Sequence, residues 1–95
     1  MTEEEAARFA LITMSEIERK VILRCDKKTT MGYQRISKEI GETYAQTQKA
    51  GRSLQKYQLA HVSTFAAPME YHGSGIFLND RGMLVRAAVS KLMSG

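Results

Sequence analysis

The spacing of apolar residues changes after Leu59 from a helical period to a strand period, and this change limits the folds open to the chain. Before Leu59 apolar residues recur three or four positions apart, which is typical of helices that bury one face. From Ala60 to Phe65 and from Gly75 to Asn79, β-branched and aromatic residues roughly alternate with others, which predicts two strands. A last helical stretch follows. The pattern therefore predicts an α+β, mostly helical, chain with one strand pair.

Two helices are predicted at the N-terminal end. The first covers Glu3 to Ile12, with acidic residues in its first turn, and its candidate contacts are Ala6, Phe9, Ala10 and Ile12. Thr13 and Glu16 have the spacing of a capping box, in which a hydroxyl and a carboxylate accept from the free amides at a helix start. A second helix is therefore expected to begin near Met14 and to end around residues 26–29.

The next two helices are separated by a glycine. The first is expected to run from Met31 to Gly41. Gly41 is expected to end it, because glycine adopts the left-handed backbone of a helix C-terminus at low cost. Its inward residues are Tyr33, Ile36 and Ile40. Thr43 can cap the second, which is expected to run to about Gln58. Its inner face carries Thr47, Ala50, Leu54 and Tyr57. The prediction is a helix, a tight turn and a helix.

The C-terminal part is expected to form a hairpin and a helix. Residues 66–74 are rich in Pro, Gly and Ser and longer than a tight turn, which predicts a protruding loop. Asn79 or Asp80 can cap a helix running to about Met93. Its apolar residues occupy more than one face: Leu84, Val85, Ala87, Ala88, Val89 and Leu92. The apolar residues outside a single face need to pack against the N-terminal helix or against a second subunit. A homodimer is therefore expected.

Positive charge is concentrated in the middle of the chain. The formal net charge is +4, and residues 1–18, 19–56 and 57–95 contribute −4, +7 and +1. A contiguous basic segment indicates a polyanionic partner.

Several classes of protein are excluded by composition. Cys25 is the single cysteine, so no internal disulfide or multi-cysteine zinc site can form. We expect Cys25 to be a small buried residue. We also expect the compartment to be reducing. His61 and His72 are expected to be ordinary strand and loop residues, so no metal or other cofactor is expected. The acidic start and the lack of a long apolar run predict a cytoplasmic protein without a membrane span. No nucleophile with a base and no phosphate-binding glycine loop is visible, so an enzyme is not expected.

The segment from Gln34 to Val62 resembles a helix-turn-helix. The residues that carry the likeness are Ile36, Ile40, Gly41, Thr47, Leu54 and Leu59. The strands and the helix opening at residues 78–82 resemble the wing and exit segment of the winged-helix superfamily, so residues 14–90 are similar to the DNA-binding regulators related to MarR and PadR. A chain of 95 residues is too short for two separate cores, so residues 1–95 are expected to form one domain. Its expected parts are an N-terminal extension at 1–12, a helix-turn-helix at 34–58, a wing at 60–79 and a C-terminal helix at 80–93.

Two features depart from the family pattern. Gln58 stands where the family commonly has glycine, so the exit from the second helix of the motif is expected to turn less sharply. The loop at 66–74 has no Lys or Arg and contains Glu70, so it offers the wing little electrostatic help on DNA.

The resemblance implies a transcriptional regulator that binds specific sequences of double-stranded DNA, with the helix at about 44–58 in the major groove. Glutamine is suited to adenine, lysine to guanine or phosphate, and the Ala45 methyl to thymine. The candidate base contacts are Tyr44, Ala45, Gln46, Gln48 and Lys49. The candidate backbone contacts are Lys27, Lys28, Arg35, Lys38, Thr43, Arg52, Lys56 and Arg81. The alternative is a winged helix that binds a protein in an assembly or secretion machinery.

Overall fold

A computed structural model describes residues 1–66 and 72–94 of the chain. The helices in these ranges are α1 (Glu3–Ile12), α2 (Glu16–Leu23), α3 (Tyr33–Ile40), α4 (Tyr44–Lys56) and α5 (Asp80–Ser94). The strands are β1 (Met31–Gly32), β2 (Ala60–Ala66) and β3 (His72–Leu78). The predicted α+β, mostly helical, winged-helix architecture is confirmed.

The three strands form one antiparallel sheet in the order β1-β3-β2. Met31 pairs with Ile76, and Val62 lies on the other side of the same residue. The prediction of a helix beginning at Met31 is wrong, because Met31 and Gly32 are extended and the helix begins at Tyr33. The short strand β1 thereby attaches α3 directly to the base of the wing.

The wing strands are longer than predicted. β2 continues to Ala66 and β3 begins at His72, so Ser63↔Gly75 to Ala66↔His72 is continuous backbone pairing. The prediction of loop structure for residue 66 and for 72–74 is therefore wrong, since glycine and serine do not prevent a ladder from continuing here. The rest of the predicted protruding loop, residues 67–71 with Glu70, lies outside the described residues.

The start of α2 differs from the predicted capping box. Ser15, and not Thr13, is the N-cap: its hydroxyl accepts from the Glu18 amide at 3.3 Å, and the Glu18 carboxylate accepts from the Ser15 amide at 3.0 Å. Thr13 is instead the C-cap of α1, where its amide donates to the Phe9 carbonyl. The helix also ends at Leu23, earlier than predicted.

The core lies where α1, α2 and α5 meet the helix-turn-helix and the sheet. Its largest fully buried side chains include Tyr33, Ile22, Ile36, Leu54, Leu59, Ile76 and Leu78. α1 contributes Ala6 and Ala10, as predicted, whereas Ile12 is 72% exposed and its predicted contact role is wrong. Ile40 and Tyr57 are only half-buried.

The apolar residues of α5 differ in how deeply they are buried. Gly82, Val85 and Val89 face the core, while Leu84 and Ala88 are half-buried and Ala87 and Leu92 are exposed. Asn79 is the residue that caps this helix, since its side-chain oxygen accepts from the Gly82 amide at 2.8 Å.

Candidate nucleic-acid interface

The start of α4 is held by Thr43. The Thr43 hydroxyl accepts from the Gln46 amide at 3.1 Å, and the Thr43 carbonyl accepts from the Thr47 hydroxyl at 2.8 Å. The first bond satisfies one of the amides that a helix start leaves without partners. The predicted cap is confirmed, and it begins a helix of 13 residues at Tyr44.

The turn between α3 and α4 is closed by Gly41 and by a tight helix contact. Gly41 has φ 70°, and its amide donates to the Ser37 carbonyl, as predicted for a glycine C-cap. Tyr33 is completely buried and its ring lies against Gly51, where an added Cβ would lie 2.6 Å from ring carbon Cζ. Only glycine at position 51 lets the two helices approach this closely.

The exit from α4 is sharply turned even though it lacks glycine. Gln58 has φ 63°, the left-handed backbone that glycine adopts most easily. Its carbonyl accepts from the side-chain Nδ2 of Asn79 at 2.8 Å, and its side-chain oxygen accepts from Arg81 at 3.4 Å. The expectation of a less sharp exit is wrong, because bonds from the start of α5 hold Gln58 in this conformation.

The outward side of α4 carries three cations in a row. Thr47, Ala50, Gly51 and Leu54 are the buried residues of the helix. Since successive helical residues are turned by about 100°, the opposite side is centred on what we call the outer stripe: Ala45, Lys49, Arg52 and Lys56. All four are exposed.

The remaining base-contact candidates lie on the flanks of the outer stripe. Gln46 is exposed on one flank and Gln48 is half-buried on the other. Tyr44 is 40% exposed and its ring meets that of Tyr33 edge-on, with centroids 6.2 Å apart. Ala45, Gln46, Gln48 and Lys49 therefore lie on the outer stripe or beside it, whereas Tyr44 is the furthest of the five from the stripe, on the side that meets Tyr33.

The backbone-contact candidates divide into two groups by their partners. Arg35 pairs with Glu39 at 3.2 Å, Lys27 pairs with Asp80, and Arg81 donates to Gln58. Within the described ranges no carboxylate pairs with the others, which are Lys28, Lys38, Arg52 and Lys56. All of these cations, and Thr43, are exposed.

Sequence reasoning missed two cations that act inside the fold. Lys20 pairs with Glu42 at 3.5 Å and Arg24 pairs with Glu39 at 3.9 Å. Both acids belong to the helix-turn-helix, so α2 compensates their negative charge. The spacing of residues 35 and 39 signals a helical pair, whereas nothing local signals the pairs to α2.

A second feature of the surface is an apolar groove between helices α1 and α5. This terminal-helix groove has a volume of about 350 Å³ and is lined by Glu3, Ala7, Leu11, Leu84, Ala87, Ala88, Lys91 and Leu92. Large apolar side chains stand exposed along these helices: Leu11 (61%), Ile12, Leu92 (41%) and Met93 (51%). Small alanines in the groove and large side chains beside it suit packing against another helix.

Neither a membrane-spanning helix nor a metal-binding cluster is present in the part of the chain that the structure describes. No helix there is both long and apolar enough to cross a membrane. No group of three or more His, Cys, Asp or Glu side chains there could hold a metal ion.

Comparison with solved structures identifies the fold. The chain is similar to S. aureus MepR in a DNA complex (14% identity, TM-score 0.71, 96% of this chain and 75% of that one). It is also similar to Lactococcus lactis ZitR, a zinc-responsive MarR family member (13%, TM-score 0.70, 88% and 56%). Streptococcus pneumoniae FabT in complex with DNA matches as well (16%, TM-score 0.62, 97% and 71%). No protein-family model and no curated protein matches the sequence.

These neighbours show that the chain has the winged-helix fold of MarR-family regulators. The chain spans little more than half the length of ZitR and three quarters of MepR.

Proposed function

We propose that this chain is a transcriptional regulator that binds specific sequences of double-stranded DNA, with α4 in the major groove. The observation that carries the proposal is the outer stripe, where Lys49, Arg52 and Lys56 are exposed on one side of a capped helix. The major groove of B-form DNA is about 12 Å wide and admits a helix. In this proposal residues 1–95 act as one winged-helix domain, working in the cytoplasm.

The fold supports the proposal independently of the charge. MepR and FabT, which share the fold, are described in complexes with DNA. A winged helix used to bind protein does not need a cationic outer stripe on α4, so the charge favours DNA over that alternative.

Roles within the interface follow from position on α4. Residues near the start of an inserted helix reach base edges first, so Tyr44, Ala45, Gln46, Gln48 and Lys49 contact bases. Phosphates are bound by residues further along α4 and around it: Lys27, Lys28, Arg35, Lys38, Thr43, Arg52, Lys56 and Arg81. Lys27 and Arg35 would exchange their present partners for phosphate at small cost, because exposed ion pairs contribute at most about 1 kcal/mol.

Paired substitutions test the interface. Lys49→Ala with Arg52→Ala is expected to abolish retardation of a bound duplex while the melting temperature stays nearly constant, because both side chains are exposed. Arg8→Ala is the control, since it removes a positive charge from an exposed position on α1 that lies outside α4 and outside the terminal-helix groove. A Lys49/Arg52 variant that retards DNA like the control would contradict the proposal. Binding of a protein ligand without DNA would favour the alternative function.

We further propose that the regulator is a homodimer joined through the terminal-helix groove. Leu11 and Leu92 line the groove and are 61% and 41% exposed, so a second copy of the chain packed on the groove would cover apolar surface. A two-fold dimer would present two copies of α4 to half-sites about 34 Å apart on one side of the duplex.

A further inference from the structure

We infer that the first two turns of α4 read consecutive A·T base pairs, so that each half-site is defined by an A·T run. The inference rests on the proposed DNA-binding function and deepens it by naming the sequence class that the helix recognises.

The first observation is the arrangement of uncharged groups around Ala45. Ala45 lies at the centre of the outward side, and Gln46 and Gln48 lie on its two flanks, turned from it by roughly 100° and 60° in opposite directions. Ala45 and Gln46 are exposed and Gln48 is half-buried. At the start of α4, the Ala45 methyl group therefore lies between the side-chain amides of Gln46 and Gln48.

The second observation is that the same two turns have few side chains that could recognise a G·C pair. From Tyr44 to Gly51 the sequence has no Arg, Asp or Glu, and Lys49 is the single charged residue. Arginine makes paired bonds to guanine O6 and N7, and a carboxylate accepts from cytosine N4. A helix without either group has only Lys49 to recognise a G·C pair.

The amides and the methyl match A·T pairs specifically. A glutamine side chain offers one acceptor and one donor edge, which fit adenine N6 and N7 together. Guanine offers two acceptors in the same positions, so one bond of the pair is lost there. The Ala45 methyl is free to contact the C5-methyl of thymine, which cytosine lacks.

The cations of α4 lie mainly beyond this surface. Arg52 and Lys56 occupy the third and fourth turns of the helix, further from the end that enters the groove first. Their contribution is therefore to phosphate, whose contacts carry no sequence information directly. Sequence reading and charge neutralisation are divided along the length of one helix.

The test begins with selection of bound duplexes from a random pool by the full chain. The expected result is an A·T run in each half-site. Gln46→Ala and Gln48→Ala are each expected to weaken binding to the selected duplex about tenfold and to reduce discrimination against A·T to G·C replacement. Gln55→Ala is the matched control, because Gln55 is an exposed glutamine of α4 outside the first two turns, and it should change affinity less than twofold.

Base analogues supply a second measurement that needs no protein variant. Uracil in place of thymine removes only the methyl group and is expected to weaken binding about fourfold, as loss of one buried methyl would. 7-Deazaadenine removes the N7 acceptor and should weaken wild-type binding while affecting Gln46→Ala or Gln48→Ala less.

The outcomes separate this inference from the function it rests on. Specific binding to G·C-rich half-sites, or unchanged discrimination in a Gln46→Ala, Gln48→Ala double variant, would overturn the A·T inference and leave DNA binding intact. Recovery of no duplex at all would overturn both.

Discussion

At the scale of single residues, the contact between Tyr33 and Gly51 sets how closely α3 and α4 approach. Gly51→Ala is expected to destabilise the protein by about 1–3 kcal/mol through overpacking against the Tyr33 ring, even though alanine favours helix over glycine by about 1 kcal/mol. Urea denaturation measures the difference. A variant as stable as wild type would mean that the ring has room to move.

Tyr33→Phe is the control for that contact. The Tyr33 hydroxyl is buried and has no hydrogen-bond partner among the described residues. Because removing a buried group without a partner costs little, this variant should match or exceed wild-type stability.

Two buried groups predict a loss of stability at high pH. Burial raises the pKa of the Cys25 thiol to about 12, and burial also raises the pKa of Tyr33 to about 12. In the unfolded chain these groups lose their protons at about pH 8.5 and 10, so the unfolded state binds fewer protons between those values and 12. The stabilisation is therefore complete below about pH 8.5 and is lost as the pH rises towards 12.

Thermal denaturation between pH 7 and 12 checks this expectation. The melting temperature should fall from about pH 9 upwards, and in Cys25→Ala the fall should begin closer to pH 10. The same onset in both proteins would show that the thiol does not contribute.

At the scale of elements, the ends of α3 and α4 use the same backbone conformation with different residues. Gly41 and Gln58 both have positive φ, 70° and 63°. An L-residue in this region costs roughly 1–2 kcal/mol, partly offset by the greater freedom that glycine loses on folding. Gln58→Gly is therefore expected to stabilise the protein by about 0.5–1 kcal/mol, and Gly41→Ala to destabilise it by about 1 kcal/mol. Loss of stability in Gln58→Gly, measured in urea, would show that the Gln58 side chain contributes more than its backbone costs.

The elements also show how far the sequence could predict the fold. The cap at Thr43 and the glycine stop at Gly41 are local signals, and both are confirmed. Thr13 and Ser15 each have a glutamate three positions later, so spacing alone could not decide between them. β1 has two residues, too few to show a period, and its structure depends on pairing with a strand 43 or more positions away in sequence.

The face of α5 that is buried could not be read from periodicity either. Leu84 and Leu92 are as apolar as Val85 and Val89, and only the position of α1 and the sheet decides which pair is covered. Within the candidate site, exposure of the α4 side chains follows from helical spacing. The pairing of Lys27 with Asp80 joins residues 53 positions apart and could not be predicted.

At the scale of the whole molecule, the terminal-helix groove predicts the oligomeric state. Sedimentation at micromolar concentration should detect a dimer. Ala87→Glu places a charge in the groove lining and is expected to give a monomer, because burying an unpaired carboxylate at an interface is costly.

Ser90→Glu is the matched control for the dimer. Ser90 is an exposed residue of the same helix and does not line the groove, so this variant should remain dimeric. A wild-type monomer, or equal masses for the two variants, would contradict the proposed interface.

The central claim is that the outer stripe of α4 binds double-stranded DNA, and the salt dependence of binding tests it most directly. Counterion release makes the logarithm of the binding constant fall linearly with the logarithm of salt concentration, by about 0.9 for each phosphate neutralised. The slope should be steep for wild type, unchanged in the Arg8→Ala control, and shallower by about 0.9 in Arg52→Ala, which loses one phosphate contact and keeps the proposed base contacts. A wild-type slope near zero, or one that Arg52→Ala leaves unchanged, would contradict the account.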